Sequence, residues 1–175
     1  MQSTSMKPSS VLGAEYLREL EAEAAATRAC LENVPMEKAD WKPHEKSMPL
    51  GYLATMVAEI PKWIQYTIEK GNIDFGTFDH AKVSTTEELV AAFDKNMTSV
   101  RAALASVTDD GLKETFSLQN QGKVLMSSQK DESISQSINH MVHHRGQLSV
   151  YLRLNDLPVP SIYGPSADDR AGFEF

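Results

Sequence analysis

The stretch INHMVHHRGQLSVYLRLNDLP, residues 138–158, decides the fold. At about 100° per residue, Ile134, Ile138, Met141, Leu148 and Leu152 fall on one stripe, the face of a helix that seeks a core. His140, His144, Gln147 and Tyr151 form a second stripe bordering it. The pattern begins near Asp131 and stops at about Asn155, where NDLPVP ends the helix. A helix with one apolar stripe needs partners, and the rest of the chain supplies three.

The first partner runs from about Val11 to Val34, before Pro35 and Pro43 stop any helix. Another opens at SMPLGYL, with Ser47 or Met48 as N-cap and Pro49 in the first turn, and reaches about Lys70 before KGNIDFG turns the chain. The third starts at STTEELVAAF, where Thr85 and Glu88 make a capping box. Leu89, Phe93, Met97, Val100 and Leu104 follow at helical spacing until TDDG at 108–111. Between Leu112 and Lys130, FSLQNQGKVLM alternates around an Asn-Gln-Gly turn, which reads either as a short hairpin or as a long crossover. The expected architecture is all-α: a four-helix bundle with one long crossover connection, built as a single domain over residues 1–175. Residues 1–10 are expected to form a flexible arm and 156–175 an irregular tail.

Composition narrows the class. A chain of 175 residues with 41% hydrophobic residues can bury a core without disulfides, and no apolar run approaches the roughly 20 residues that span a bilayer. The formal charge of −7, with no dense Lys/Arg patch, argues against nucleic acid as a partner. MQSTSMKPSSVLG has no apolar core of a signal peptide, which makes the cytoplasm the expected location. Cys30, the only cysteine, reads as buried filler.

His140 and His144 stand one turn apart on the same side, the i,i+4 arrangement in which two imidazoles can bind one metal ion. The plain alternative is a pair of boundary histidines with their polar edges in water. His143 points elsewhere, to solvent or a partner chain. A catalytic zinc or iron(II) centre wants three protein ligands, so a third must come from another helix. On the second helix, Tyr52, Met56, Glu59 and Trp63 share one side, and if it meets the histidine face, Glu59 is the candidate carboxylate ligand or general base. Arg145 falls inside the apolar stripe and must either snorkel or pair with a buried acid, a salt bridge being the expectation, while Gly146 beside it is expected to permit close helix approach.

Together, DWKPHEKSMPLGYLATMVAEIPKW and NHMVHHRGQLSVYLRLNDLPVPSIYGPS resemble the DinB-like, or DinB/YfiT-like, metalloenzyme superfamily over nearly the whole chain. The resemblance implies a four-helix bundle, often a homodimer, with a divalent metal, commonly nickel or zinc, held by one histidine of the second helix and two of the fourth. By position those two are His140 and His144. It also implies relatives acting as thiol S-transferases. This chain departs at the first ligand: Leu53-Ala54-Thr55-Met56-Val57-Ala58-Glu59 places Met56 where the family carries histidine. A thioether is a soft, neutral ligand suited to copper(I) and poor for zinc or nickel. The metal can therefore be lost here unless Glu59, Tyr52 or His44 completes the set. His44 is read as structural or pocket-lining, and His80 as exposed.

Two functions follow. One is a metal-dependent enzyme of the thiol S-transferase or hydrolase type, with His140 and His144 as ligands and Glu59 as third ligand or base. The other is a non-catalytic, stress-related relative that has lost the metal and binds a small molecule between helices two and four.

Overall fold

The computed structural model describes residues 10–170. Four long helices carry most of the chain: α1 (Val11–Glu32), α2 (Leu50–Glu69), α3 (Thr86–Ser106) and α5 (Lys130–Leu154), with a single-turn helix α4 (Asp109–Leu112) between the last two. Two of the long helices, α1 and α3, start at a side-chain cap. The Ser10 hydroxyl accepts the Gly13 N–H at 2.8 Å, and the Thr85 hydroxyl accepts the Glu88 N–H at 3.2 Å. Glu88 reaches back one residue further than in the usual box, to the Ser84 N–H at 2.7 Å. The N-cap of α2 is Pro49 rather than Ser47 or Met48, and it makes no side-chain cap bond. TDDG does not simply end α3: Thr108 caps α4 by accepting the Gly111 N–H at 3.0 Å.

Packing closes the helices around one core. α2 lies against α3 and α5, and α1 against the same two. Leu20, Leu31, Leu53, Ile64, Phe93, Met97, Ile138, Met141 and Leu148 are all buried at the centre. Contact between α2 and the segment before it depends on Gly51, where a Cβ would come within 2.6 Å of the Ala39 Cβ. Gly146 has no such role, because a Cβ there would meet nothing within 4 Å; the expected close approach at Gly146 is absent.

The all-α expectation is corrected by a three-stranded sheet in the order β1 (Asn72–Asp74), β2 (Thr115–Asn120), β3 (Lys123–Gln129). β2 and β3 form an antiparallel hairpin with Leu118 opposite Met126, so the segment between Leu112 and Lys130 is a hairpin and not a plain crossover. Its turn is possible because Gln121 and Gly122 both take positive φ, 51° and 77°. β1 then pairs in parallel with β2, Asn72 beside Ser117 and Asp74 beside Gln119. Three residues of β1 are too few to show a strand period, so this pairing left no local signal. The Asp74 carboxylate reinforces it by accepting the Gly76, Gln121 and Gly122 N–H groups at 2.8, 2.8 and 2.7 Å. These bonds hold its pKa below the usual carboxylate range, the Gly122 bond contributing most.

Among the described residues no helix is long and apolar enough to cross a membrane. Of the expected arm, only Ser10 lies within the described residues. Residues 156–170 contain no helix or strand.

Candidate functional site

Two clamps set the relation of α2 to α5. The Lys130 Nζ donates to the Ile68 carbonyl at 3.0 Å, and the Tyr151 hydroxyl donates to the Met48 carbonyl at 3.2 Å. The start of α5 therefore meets the end of α2, and the helices run antiparallel. Counting twelve residues inward from the first clamp puts Met56 level with Val142, and eight inward from the second puts it level with His143. Met56 thus lies level with the turn of α5 that carries His140 and His144.

The expected meeting of faces occurs. Tyr52, Met56, Glu59 and Trp63 of α2 and His140 of α5 line one cavity of about 800 Å³, closed on its far side by Phe75, His80, Ala81, Lys82 and Val83 of the β1–α3 loop. A smaller cavity of about 160 Å³ lies toward the sheet, between Phe116, Leu118, Met126 and Ile73. Trp63, Phe75 and His140 line both cavities and form the partition between them. Trp63 meets His140 edge to face, with ring centroids 5.5 Å apart. Its indole N–H is buried without a hydrogen-bond partner, alone in this respect among the described residues.

The two histidines converge. His140 Nε2 and His144 Nε2 lie 2.6 Å apart, while His144 Nδ1 meets Gln147 Oε1 at 2.7 Å. An amide oxygen only accepts, so Gln147 holds the proton of His144 on Nδ1 and leaves its Nε2 with a lone pair. His140 then donates from Nε2. Burial, followed by the charges that His144 and His143 would carry, pushes the pKa of His140 below the ordinary histidine value. Burial also lowers that of His144, against a smaller opposing effect of Gln147. Both shifts favour the neutral ring. His143 is exposed, its ring 4.9 Å from that of His144.

Glu59 is almost wholly buried, at 1% exposure, and its carboxylate is turned to the loop. One oxygen meets His80 Nδ1 at 2.8 Å and the other accepts the Ala81 N–H. The loop is held again by Lys62, whose Nζ donates to the Asp79 carbonyl and lies 4.8 Å from the centroid of the Phe78 ring. His80 is exposed, as its position implied, yet it is the partner of the buried acid. Sequence reasoning missed this pairing, since 21 residues and a loop of no fixed period separate the two. His44 is exposed and accepts the Lys46 N–H on Nδ1 at 3.1 Å, away from the cavity.

These residues do not fit a three-ligand nickel or zinc centre. No group of three or more His, Cys, Asp or Glu side chains that could hold a metal occurs among the described residues. Two imidazoles converge, Met56 offers a thioether, and the Glu59 carboxylate is already bonded to the loop.

On another side of α5, Arg145 is buried and forms the expected salt bridge, with the partly buried Glu23. Its Nη2 lies 2.6 Å from Glu23 Oε2 and donates to the Tyr163 hydroxyl at 2.8 Å. Its Nη1 donates to the Thr27 hydroxyl at 3.1 Å and the Glu23 carbonyl at 3.2 Å. The guanidinium, 1% exposed, also sits 5.2 Å from the centroid of the Tyr163 ring.

The chain belongs to the DinB family, whose pattern it matches over residues 1–172. Its fold is similar to two solved structures. A DinB-like protein of Bacillus subtilis aligns with TM-score 0.65 and 17% identity, over 89% of this chain and 99% of its own. A DinB-like protein of Bacillus cereus ATCC 10987 also aligns with TM-score 0.65, at 21% identity over 90% of this chain and all of its own. Local sequence similarity is higher to the uncharacterized protein YrdA of Bacillus subtilis, 50% identical over 36 residues, but that match spans only 21% of this chain and 22% of the relative.

Proposed function

We propose that this DinB-family chain binds a small, largely apolar molecule in the cavity between α2, α5 and the β1–α3 loop. The observation that carries this reading is the cavity itself. At about 800 Å³ it lies within the roughly 300–1,000 Å³ of small-molecule sites, and Met36, Met56, Trp63, Phe75 and Val83 make its wall apolar around a few polar groups. Those polar groups are Tyr52, Glu59, His80 and His140. Glu59 acts here as a positioning residue: by bonding His80 and Ala81 it fixes the loop that forms the far wall. The scaffold is read as a four-helix bundle with the small sheet attached at one end, the chain as a homodimer, as the family resemblance implies, and its location as the cytoplasm; sedimentation equilibrium checks the dimer.

Titration with 1-anilinonaphthalene-8-sulfonate tests the cavity. Saturable binding of one dye per chain, lost in a Met56→Trp variant that fills the space, is the expected result. Equal binding by the folded variant would overturn the reading.

A second reading is favoured by the convergence of His140 and His144: a metal-dependent transferase or hydrolase of the thiol S-transferase type, with Glu59 as base. For that role Glu59 must first release His80 and Ala81. Turnover of an electrophilic substrate with a low-molecular-weight thiol, abolished by a chelator, would support it. No turnover at any metal loading would remove it.

A further inference from the structure

We infer that the smaller cavity, on the sheet side of the Trp63 partition, is a second binding site, which takes a single apolar aromatic ring, the phenyl-sized group of a ligand. This goes beyond the reading of the main cavity and does not depend on what that cavity holds. Three observations carry it.

The first is size. The cavity measures about 160 Å³, and an engineered apolar cavity of about 150 Å³ in another fold stays dry and takes up benzene or xenon. Folded interiors otherwise leave few voids larger than a water molecule. The space has a local cause in α5, where Ser133 and Ser137 stand one turn apart along its wall, while the neighbouring stripe of the same helix is filled by Ile134, Ile138 and Met141. Larger side chains at 133 and 137 would close it.

The second is the chemistry of the wall. Trp63, Phe75 and Phe116 bring three aromatic rings to the space, and Ile73, Leu118 and Met126 complete its apolar surface. Aromatic edges and faces attract a further ring beyond the gain from area alone. The hydroxyls in the wall are already bonded within the chain. Thr67 donates to the Trp63 carbonyl at 3.0 Å, Ser137 donates to the Ser133 carbonyl at 2.8 Å, and the Ser133 and Ser128 oxygens lie 2.6 Å apart. None of the three calls for water or a polar ligand. No Asp, Glu, Lys or Arg lines the space.

The third is the mouth. Phe75 in the β1–α3 loop and Met126 on β3 line the cavity and are also 46% and 41% exposed. The apolar wall therefore runs out to the surface, where Val124 and Leu125 continue it along β3. A ring has its own way in, separate from the mouth of the main cavity.

The test is calorimetric titration of the full chain with toluene. Saturable binding is expected from the unaltered chain and from Met56→Trp, which fills only the main cavity. Leu118→Phe and Ser137→Leu fill the smaller space from the sheet and from α5, and each should weaken toluene by about tenfold or more while circular dichroism stays unchanged. Methylcyclohexane, of similar bulk but with no aromatic quadrupole, should bind about threefold more weakly than toluene. No saturable binding by the unaltered chain would overturn the proposal. Undiminished toluene affinity in a folded Leu118→Phe or Ser137→Leu protein would overturn it too, as would loss of toluene in Met56→Trp alone. Methylcyclohexane held as tightly as toluene would overturn the assignment to an aromatic ring. Dye binding by Leu118→Phe reports on the main cavity separately, so failure of either site is distinguishable from failure of the other.

Discussion

α5 places two sets of polar side chains on its two flanks, one turn or less apart, and treats them in opposite ways. Arg145 is enclosed by Glu23, Thr27 and Tyr163, with four hydrogen-bonding contacts and a ring beneath it. His140 and His144 instead bond mainly to each other and to Gln147, beside a cavity and next to an indole N–H that has no acceptor. A buried charge that is fully bonded tells of architecture; neutral donors and acceptors turned on one another beside open space tell of something to be bound.

The comparison can be broken most forcefully on the Arg145 side. Glu23→Ala leaves a guanidinium buried without its counter-charge, and such losses cost about 3–5 kcal/mol. Urea unfolding should record a loss of that size, with dye binding unchanged in the protein that remains folded. A loss below about 1 kcal/mol would mean that Tyr163 and Thr27 alone satisfy Arg145.

Glu59 belongs to the cavity side yet is buried with both oxygens bonded, which makes it the sharpest discriminator. Removing it in Glu59→Ala frees Ala81 N–H and His80 and should cost about 1–3 kcal/mol. Amide exchange should quicken selectively over residues 75–83. Uniform acceleration across the chain would show that Glu59 supports the core rather than the loop.

Acid separates the two sets by sign. Because folding lowers the histidine pKa values, the unfolded chain takes up protons first as pH falls below about 6.5, so stability contributed by the neutral pair is complete above that pH and is lost below it. A His140→Gln, His144→Gln double variant should flatten the fall in stability between pH 7 and 5 without altering the plateau above pH 7. An unchanged slope would assign acid sensitivity elsewhere. The smallest effect is expected at the exposed Arg101–Glu21 pair, where Arg101→Ala should change stability by no more than about 0.5 kcal/mol, checked by the same urea titration.

Much of this was legible in the sequence. The apolar stripe of residues 134–152, the Thr85 cap and the breakers at Pro35 and NDLPVP fix the long helices because each is a local signal, read within one or two turns. Arg145 was legible for a different reason: a charge on an apolar stripe demands a partner wherever it comes from. The parallel pairing of β1 with β2 and the Glu59–His80 contact were not, since both join residues that no period relates. The cavity was half legible. Helical angles grouped Tyr52, Met56, Glu59 and Trp63 on one side, but the loop that closes it has no regular structure from which to predict its path.

Asp74 has a consequence for the order in which the chain assembles. Its carboxylate joins the end of β1 to amides 47 and 48 residues later, so it can act only after the hairpin turn at Gln121–Gly122 has formed. Closing so long a loop is slow compared with winding α2 or folding back the segment that follows it. In a refolding experiment, Asp74→Ala should therefore speed unfolding and leave the folding rate nearly unchanged, because the stitch is made on the far side of the rate-limiting barrier.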